Sequence, residues 1–226
     1  MRIKIFQMET SDRTYGKKFF GIPKDGVDPS LYKNVYFGDV GAENLEDVYR
    51  LFNDNRPRTF QGHSLSVSDV VQVCNESEDL VTPNGFYFVQ DVGFEKIDFD
   101  DSKAQEQDGM RVVYVTPNNT PLDIRIGTDL GAMQNAVGGL IEPIFNDDGT
   151  VIIGNEESKL NGMQGNRHLD YGGVIAGPFF VCGDAGEEFR SLTDEEAEKY
   201  MQKYAEPEDI SDQEVADDTG FTIISF

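Results

Sequence analysis

The chain has 226 residues, of which 38% are hydrophobic, and its formal net charge is −23. This length suits one large or two small domains, and the apolar content supports a core while leaving room for polar loops or a polar tail. So acidic a composition argues against direct binding to a nucleic-acid backbone, which needs basic surface, and no apolar run approaches the length of a membrane span.

The start of the chain is typical of a strand. Residues 1–8 alternate, with Ile3 and Ile5 on one face, and they lack the apolar segment and cleavage site of a signal peptide. Two cysteines, Cys74 and Cys182, lie far apart in strand-like settings, which is typical of buried, reduced thiols. We therefore expect a cytoplasmic protein.

The first half of the sequence predicts the order strand, strand, helix, strand, strand. The five elements fall at residues 1–8, 31–37, 45–53, 68–75 and 85–91. Asn44 can cap the helix, whose apolar residues recur at helical spacing, and Pro57 stops its continuation. Residues 9–30 are polar and rich in glycine and proline, so we expect mostly loop.

The second half repeats this order of elements. They fall at residues 110–116, 122–126, 129–137, 140–145 and 151–154, with Thr128 or Asp129 as the helix cap. A further strand is predicted at 174–182, and a helix capped by Ser191 or Thr193 runs to Tyr204. The last six residues, 221–226, resemble a strand that can complete the protein's own sheet or extend a partner's.

The repeated order predicts the α+β class. Two strands, a helix and two strands are the order of a β-grasp (ubiquitin-like) domain, so we expect two small domains of this kind at 1–97 and 110–205. Residues 98–109 are charged and aperiodic, which indicates a linker. A C-terminal helix closes the second domain, and residues 206–226 are expected to form an acidic tail.

The densest run of specific residue types is residues 62–71, Gly-His-Ser-Leu-Ser-Val-Ser-Asp-Val-Val, here called the serine stretch. Its three serines alternate with Leu65 and Val67, so in an extended chain their hydroxyls would share one face. Asp69 stands where the stretch enters a strand. We favour a loop fixed by hydroxyl and carboxylate bonds to nearby backbone N–H groups over a catalytic role.

Both halves resemble known families. The serine stretch, with residues 45–52, 56–57, 60, 86–89 and 93–94, resembles the YodL-like domain of Firmicutes conjugative elements and phages. The second half resembles another uncharacterised family from the same elements, at residues 137–142, 155–160, 166–167, 176–180 and 191–195. Neither family brings an established catalytic residue. The resemblance implies a setting in mobile elements that are in conflict with host defence.

Histidine and cysteine are the residues that would support catalysis or metal binding. A nucleophilic pair of Cys74 with His63, or of Cys182 with His168, is conceivable. Nothing in the sequence indicates a lowered thiol pKa, and the four residues together have no recognised zinc-ligand spacing. We therefore expect no catalytic residue, no metal and no cofactor, and a protein that is not an enzyme.

A loop in the second half is the best candidate for a small-ligand site. Its amides, carboxylates and cations can hold a polar ligand, or an anion through the basic side chains. The alternative is a loop whose polar groups bond to its own backbone and to nearby acids. The candidate residues are Asn155, Glu156, Lys159, Asn166 and Arg167.

Acidic residues concentrate near the C-terminus. Residues 187–218 carry thirteen acids and three bases, a net charge of −10, whereas residues 1–40 carry seven bases and five acids. Such a surface is either merely solvated or able to occupy a basic groove in place of nucleic acid. The acidic face is defined as Glu187, Glu188, Asp194, Glu195, Glu196, Glu198, Glu208, Asp209, Asp212, Glu214, Asp217 and Asp218.

Three functions fit these features. The first is a counter-defence protein that inhibits a host nucleic-acid-binding effector, such as a CRISPR or restriction nuclease, through the acidic face. The second is a module that binds or sequesters a small polar ligand. The third is a structural adaptor of conjugative transfer that uses the serine stretch and the C-terminal strand.

Overall fold

The computed structural model describes residues 1–75, 81–170 and 172–218. The chain divides into two compact units, Met1–Gln107 and Asp108–Phe226. Each unit is built on an antiparallel sheet with helices packed against it, so the predicted α+β class is confirmed. In the part of the chain that the structure describes, no helix is both long enough and apolar enough to span a bilayer.

In its described residues the first unit contains one α-helix, two short 3-10 helices (Pro29–Leu31 and Asp101–Lys103) and a five-stranded sheet in the order β2-β1-β3-β4-β5. Its elements are β1 (Arg2–Met8), β2 (Tyr32–Asp39), α1 (Leu45–Asp54), β3 (Val70–Val73), β4 (Gly85–Val89) and β5 (Phe94–Ile97). The predicted helix cap is confirmed, because Asn44 Oδ1 accepts a hydrogen bond from the backbone N–H of Asp47 at 2.9 Å.

Each face of this sheet has its own apolar layer, because side chains alternate along β1. Ile3 and Ile5 pack with Val48 and Phe52 of α1 on one face. Phe6 and Met8 point to the other face and pack with a different group of side chains, namely Leu31, Tyr32, Val70, Phe88 and Phe99.

The stretch 98–109 is not the linker that the sequence predicted. Phe99 is buried and its ring packs 5.2 Å from that of Phe6, while Asp101 pairs with Lys4 at 3.1 Å. The backbone N–H of Gln105 donates to the carbonyl of Tyr32. The charged composition of this stretch gave no sign that Phe99 anchors it to the first unit. The boundary between the units falls after Gln107.

The second unit contains a six-stranded sheet in which β12 lies between β6 and β9; the path is β7-β6-β12-β9-β8, with β13 paired to β12. The strands are β6 (Met110–Val115), β7 (Leu122–Ile126), β8 (Ile141–Phe145), β9 (Thr150–Asn155), β10 (Gly165–His168), β11 (Val174–Ala176), β12 (Phe179–Asp184) and β13 (Phe189–Arg190). The helices are α2 (Leu130–Val137), α3 (Asp194–Lys203) and α4 (Asp212–Asp217).

Helices α2 and α3 cover opposite faces of this sheet. Val113 and Val115 of β6 pack with Ala197 and Tyr200 of α3, whereas the hydroxyl of the intervening Tyr114 donates to the carbonyl of Ala136 in α2. Alternation along β6 therefore directs neighbouring residues to different helices.

The β-grasp comparison holds for element order only. Every pair of named strands is antiparallel, whereas a ubiquitin-like sheet has a parallel central pair. In the second unit the five elements predicted to repeat the first half also leave a gap between β6 and β9, which β12 fills. The sequence missed this because the pairing joins strands far apart in the chain.

The predicted strand 174–182 is two strands in two different sheets. β11 pairs with β10 in a two-stranded sheet, and β12 enters the main sheet. Between them Gly177 has φ +72°, a left-handed conformation that favours glycine, and Pro178 has no backbone N–H to donate.

Residues 206–218 are not a tail. Ile210, just before α4, and Val215 of α4 are buried against Val174 and Ala176 of β11. Polar contacts reinforce this packing, because His168 bridges the carboxylates of Glu208 and Glu214. The predicted terminal strand at 221–226 lies outside the described residues.

The contacts of His168 with Glu208 and Glu214, here called the His168 clasp, should weaken as pH rises. Hydrogen bonds to Glu208 and Glu214 raise the pKa of His168 above its ordinary 6.5. A histidine whose pKa is higher in the folded state stabilises the fold. This contribution is fully present when the pH is below the unfolded-state pKa, and it is lost as the pH rises through the folded-state pKa. Amide-exchange protection of α4, corrected for intrinsic rates, should therefore fall across this range.

The H168Q variant should show lower protection at acidic pH and no such transition. A ring-resonance titration by NMR should place His168 above 6.5 and His63, the other histidine, below it, since burial lowers the pKa of His63. Equal, unshifted titration of the two rings would contradict the clasp.

Candidate functional site

The twelve residues of the acidic face all lie in the second unit, on three segments. Glu187 and Glu188 are in the turn between β12 and β13, four acids lie on α3, and six lie between residues 208 and 218. α3 begins with a capping box in which the side chain of Thr193 and that of Glu196 each bond the other's backbone N–H. Of the two residues predicted as alternatives, Ser191 and Thr193, it is therefore Thr193 that caps α3.

Five residues of the acidic face are engaged with bases in the same unit. Arg111 contacts Asp194 at 2.5 Å, Lys159 contacts Asp218 at 2.5 Å, and Glu208 and Glu214 bond His168. Glu196 receives two hydrogen bonds from Arg190, at 2.7 and 2.8 Å, which lower the pKa of Glu196 to about 2. These carboxylates fasten elements together and are poorly placed for a partner.

The other seven residues form the free part of the acidic face. They are exposed, and in the described ranges none lies within 4.0 Å of a Lys, Arg or His nitrogen: Glu187, Glu188, Glu195, Glu198, Asp209, Asp212 and Asp217. The side chains of Glu198 and Asp217 each accept a hydrogen bond from a glutamine one helical turn away. A basic partner can therefore reach these carboxylates without breaking an ion pair.

The cations of the second unit are largely used within it. The unit has seven Lys and Arg against 23 Asp and Glu, a net charge of −16, whereas the first unit has twelve against nineteen, a net charge of −7. Five of the seven form ion pairs within the unit: Arg111, Lys159, Arg190, Lys199 and Lys203. Arg167 is buried, and Arg125 donates to the carbonyl of Gly109 at 3.2 Å.

The predicted ligand loop is not gathered into one site. Asn155 is buried at the end of β9, where its Oδ1 accepts from the N–H of Glu157 at 2.8 Å and its Nδ2 donates to the carbonyl of Val137 at 3.3 Å. The side chain of Glu156 is exposed, and Lys159 is held by Asp218. These side chains contact different elements of the unit.

Arg167 and Asn166 are the most deeply buried of the five predicted residues. The guanidinium of Arg167 donates to the carbonyls of Asn119 and Tyr204, at 2.8 and 2.9 Å, and to both oxygens of Asn166. Asn166 Nδ2 donates in turn to the carbonyls of Val115 and Gly177. Burial lowers the pKa of Arg167, but guanidinium stays charged in proteins. The pair is therefore a structural hub.

The serine stretch is a loop that precedes β3, and its hydroxyls do not share one face. Ser64 Oγ accepts from Arg56 at 2.6 Å, Ser66 Oγ donates to the carbonyl of Ser64, and Ser68 Oγ accepts from the N–H of Phe19 at 2.9 Å. Ser68 has φ +79°, so the loop leaves the extended conformation there. The expected bonds to backbone N–H groups are made by Ser68 and Asp69, whereas Ser64 bonds a side chain and Ser66 a carbonyl.

Asp69 is the buried centre of this loop. Its Oδ2 accepts from the N–H of Ser66 and from Gln7 Nε2, both at 2.8 Å. Gln7 also bonds the backbone of His63, through its Nε2 to the carbonyl and its Oε1 to the N–H. Sequence reasoning missed Gln7; the available signal was one amide between Phe6 and Met8 in an apolar strand.

Burial dominates the titration of Asp69. The carboxyl is 1% exposed, and this desolvation raises its pKa to about 8 despite the hydrogen bonds to its ionised form. Asp69 Oδ1 and His63 Nε2 are both buried, and neither has a hydrogen-bond partner among the described residues. At neutral pH Asp69 is therefore mostly a neutral acid.

The cysteine–histidine pairs find no support in these contacts. The ring of His63 bonds the carbonyl of Ser64, and that of His168 bonds two glutamates. Burial raises the pKa of both thiols, that of Cys182 to about 12, so neither is activated as a thiolate. Within the ranges that the structure covers, no group of three His, Cys, Asp or Glu side chains is arranged to hold a metal.

We expect Asp69 to destabilise the first unit as pH rises. Its folded-state pKa is above its ordinary 3.8, so folding takes up a proton, and the free energy of unfolding should fall between about pH 4 and pH 8. The slope is at most about 1.4 kcal/mol per pH unit. The D69N variant should lose this slope, while D91N, at an exposed aspartate, should keep it.

The free energy of unfolding is measured by urea denaturation at several pH values, and amide exchange in β1 and β3 is recorded at the same pH values. A wild-type slope that survives in D69N would assign the pH dependence to another group.

Comparison with known proteins gives the families of the two halves. The family model of the YodL-like domain matches residues 2–99, and that of DUF3846, a domain of unknown function, matches residues 110–205. Comparisons with curated proteins and with solved structures gave no significant match. The first half of the chain is therefore similar to the YodL-like domain and the second half to DUF3846, in that order.

Proposed function

We propose that this protein is a non-enzymatic inhibitor that binds the basic groove of a host nucleic-acid-targeting effector, such as a CRISPR or restriction nuclease. The free part of the acidic face in the second unit would take the place of nucleic-acid phosphates. One observation carries this proposal: the cations of this unit are largely used within it, while seven exposed carboxylates have no cation within ion-pair distance among the described residues.

Rigid placement of the carboxylates supports the proposal. The segment 206–218 is seated on β11 through Ile210 and Val215, and α3 is fixed through Ala197 and Tyr200. Acids on ordered helices lose less conformational entropy on binding than acids on a solvated tail. Their common sign also steers encounter with a basic groove.

The sequence resemblance gives the proposal its setting. Proteins of mobile elements meet host nucleases inside the cell, so the site of action would be the cytoplasm. A protein that occupies a basic groove needs no catalytic group, which suits a chain whose thiols have raised pKa values.

The two alternative functions receive less support. A small-ligand module would need Asn155, Asn166 and Arg167 to face a common space, and all three are bonded to different parts of the backbone. An adaptor that uses the strand 221–226 depends on residues outside the described ranges.

Charge neutralisation tests the proposal. In the test variant, E195Q, E198Q, D209N, D212N and D217N remove five charges of the free acidic face. An exposed ion pair contributes about 0.2–1 kcal/mol, so the loss of five should lower affinity for the effector about 5-fold or more. The control variant neutralises five exposed acids of the first unit, Asp25, Glu43, Asp54, Asp91 and Asp98, and should bind within about 2-fold of wild type.

The measurement has two stages. Immobilised protein captures candidates from a host lysate, and each purified nucleic-acid-binding candidate is titrated at several salt concentrations with its nuclease activity recorded. Duplex DNA should compete for binding, and affinity should fall steeply with salt. A complex that resists high salt, or inhibition that survives in the test variant, would refute the mimicry.

A further inference from the structure

The first unit has a group of cations that lack acid partners. Of its twelve Lys and Arg, six have no carboxylate within ion-pair distance in the described ranges: Arg13, Lys17, Lys18, Lys24, Arg56 and Lys96. The chain has 42 acids and 19 bases, so a shortage of acids is not the reason. Three of the six lie within residues 13–20, here called the basic–aromatic loop.

The same loop exposes three large aromatic side chains. Tyr15 is 90% exposed, Phe19 56% and Phe20 60%. Elsewhere in the described chain every other phenylalanine except Phe145 is less than 36% exposed. Exposed rings interleaved with cations within eight residues indicate a binding surface, because a folding core would bury them.

Hydrogen bonds hold the loop in this exposed conformation. The buried Thr14 donates its hydroxyl to the carbonyl of Glu9 at 2.6 Å and accepts from the N–H of Ser11 at 2.9 Å. At the other end Phe19, with φ +66°, donates its N–H to Ser68 Oγ. Two residues in the left-handed region, Phe19 and Ser68, are thus bonded to each other. Through Ser68, the serine stretch thus holds Phe19 of the loop in a strained backbone conformation.

Cations flank the exposed rings. Lys18 Nζ lies 5.2 Å from the centre of the Phe19 ring, and that ring lies 5.8 Å from the His63 ring. Arg56 donates to Ser64, the neighbour of His63. The His63 ring bonds the carbonyl of that same Ser64, so the Arg56 guanidinium and the imidazole both contact one residue. The ring of Phe19 is therefore bordered by positive charge.

We propose that the basic–aromatic loop, together with Arg56, binds a short segment of single-stranded nucleic acid. Bases stack on the exposed rings of Tyr15, Phe19 and Phe20, and phosphates contact the neighbouring cations. Stacking of a base on an aromatic side chain contributes about 1–3 kcal/mol and tolerates any base, so the site reads little sequence.

The net charge of −23 argued against binding to a nucleic-acid backbone, and the local arrangement answers this objection. At physiological salt the Debye length is about 8 Å, so distant carboxylates are screened from a short bound strand. The expected complex is weak. With four cations, Arg13, Lys17, Lys18 and Arg56, the slope of log affinity against log salt should be about −3, since each phosphate on a single strand gives about −0.7.

This site is independent of the inhibitor function proposed for the second unit. It uses residues of the first unit only, so the charge-neutralising variants of the acidic face should bind oligonucleotide no more weakly than wild type. Failure of one proposal therefore leaves the other standing.

The experiment measures the fluorescence anisotropy of a short labelled oligothymidine titrated with the full chain at a series of salt concentrations from low to physiological. The Y15A/F19A/F20A variant should lose at least about 10-fold in affinity. The K17A/K18A variant should reduce the salt slope by about 1.4. Matched controls are Y49A, at an aromatic residue 41% exposed on α1, and K96A, which should both bind as wild type.

Two further arms separate the alternatives. A duplex of the same length should bind more weakly than the single strand, because its bases are not free to stack. Vesicles containing an anionic phospholipid should not compete. No binding at low salt, equal binding to duplex, equal losses in the controls, or preferential binding to vesicles would each overturn the proposal. Circular dichroism of each variant confirms that the fold is retained.

Discussion

The buried guanidinium of Arg167 is the interaction on which the second unit depends. It joins β10, the turn between β6 and β7 at Asn119, and the C-terminal end of α3 at Tyr204. A cation is well placed at this helix end, where unsatisfied carbonyls carry partial negative charge. Removing it would leave several buried carbonyls without donors, at about 1–3 kcal/mol each. The acids on α3 are held in place through this residue.

The small number of cations in the second unit determines which of its acids form ion pairs and which do not. Seven bases face 23 acids, so most acids have no base available. The acids that obtain a partner are those that join elements, as Asp194 joins α3 to β6 through Arg111, and Asp218 joins the end of α4 to the β9–β10 connection through Lys159. Of the seven acids in the free part of the acidic face, four lie on α3 and α4, two lie in the turn between β12 and β13, and Asp209 lies just before α4. The carboxylates that join elements thus differ from those proposed to bind a partner in holding a cation.

Local features of the fold were predictable from the sequence, and non-local ones were not. Asn44 and Thr193 cap their helices because an oxygen at that position satisfies nearby N–H groups whatever the tertiary context. The central place of β12, by contrast, is set by pairing with strands whose residues are distant in sequence. Phe99 and Ile210 show the other limit, because single apolar anchors within charged stretches give no periodic signal. The acidic face was found from composition alone, whereas Gln7 and the ring of Phe19 acquire their roles only through contacts with the serine stretch.

The late position of β12 in the chain also constrains how the protein is made. During synthesis the first sheet can close once β5 has emerged, because all its strands precede residue 98. The second sheet cannot, since β6 and β9 stay apart until residues 179–184 leave the ribosome. Until then both strands present unpaired edges, the kind of surface that recruits other chains into aggregates. The high density of negative charge in this half would keep nascent copies apart during that interval.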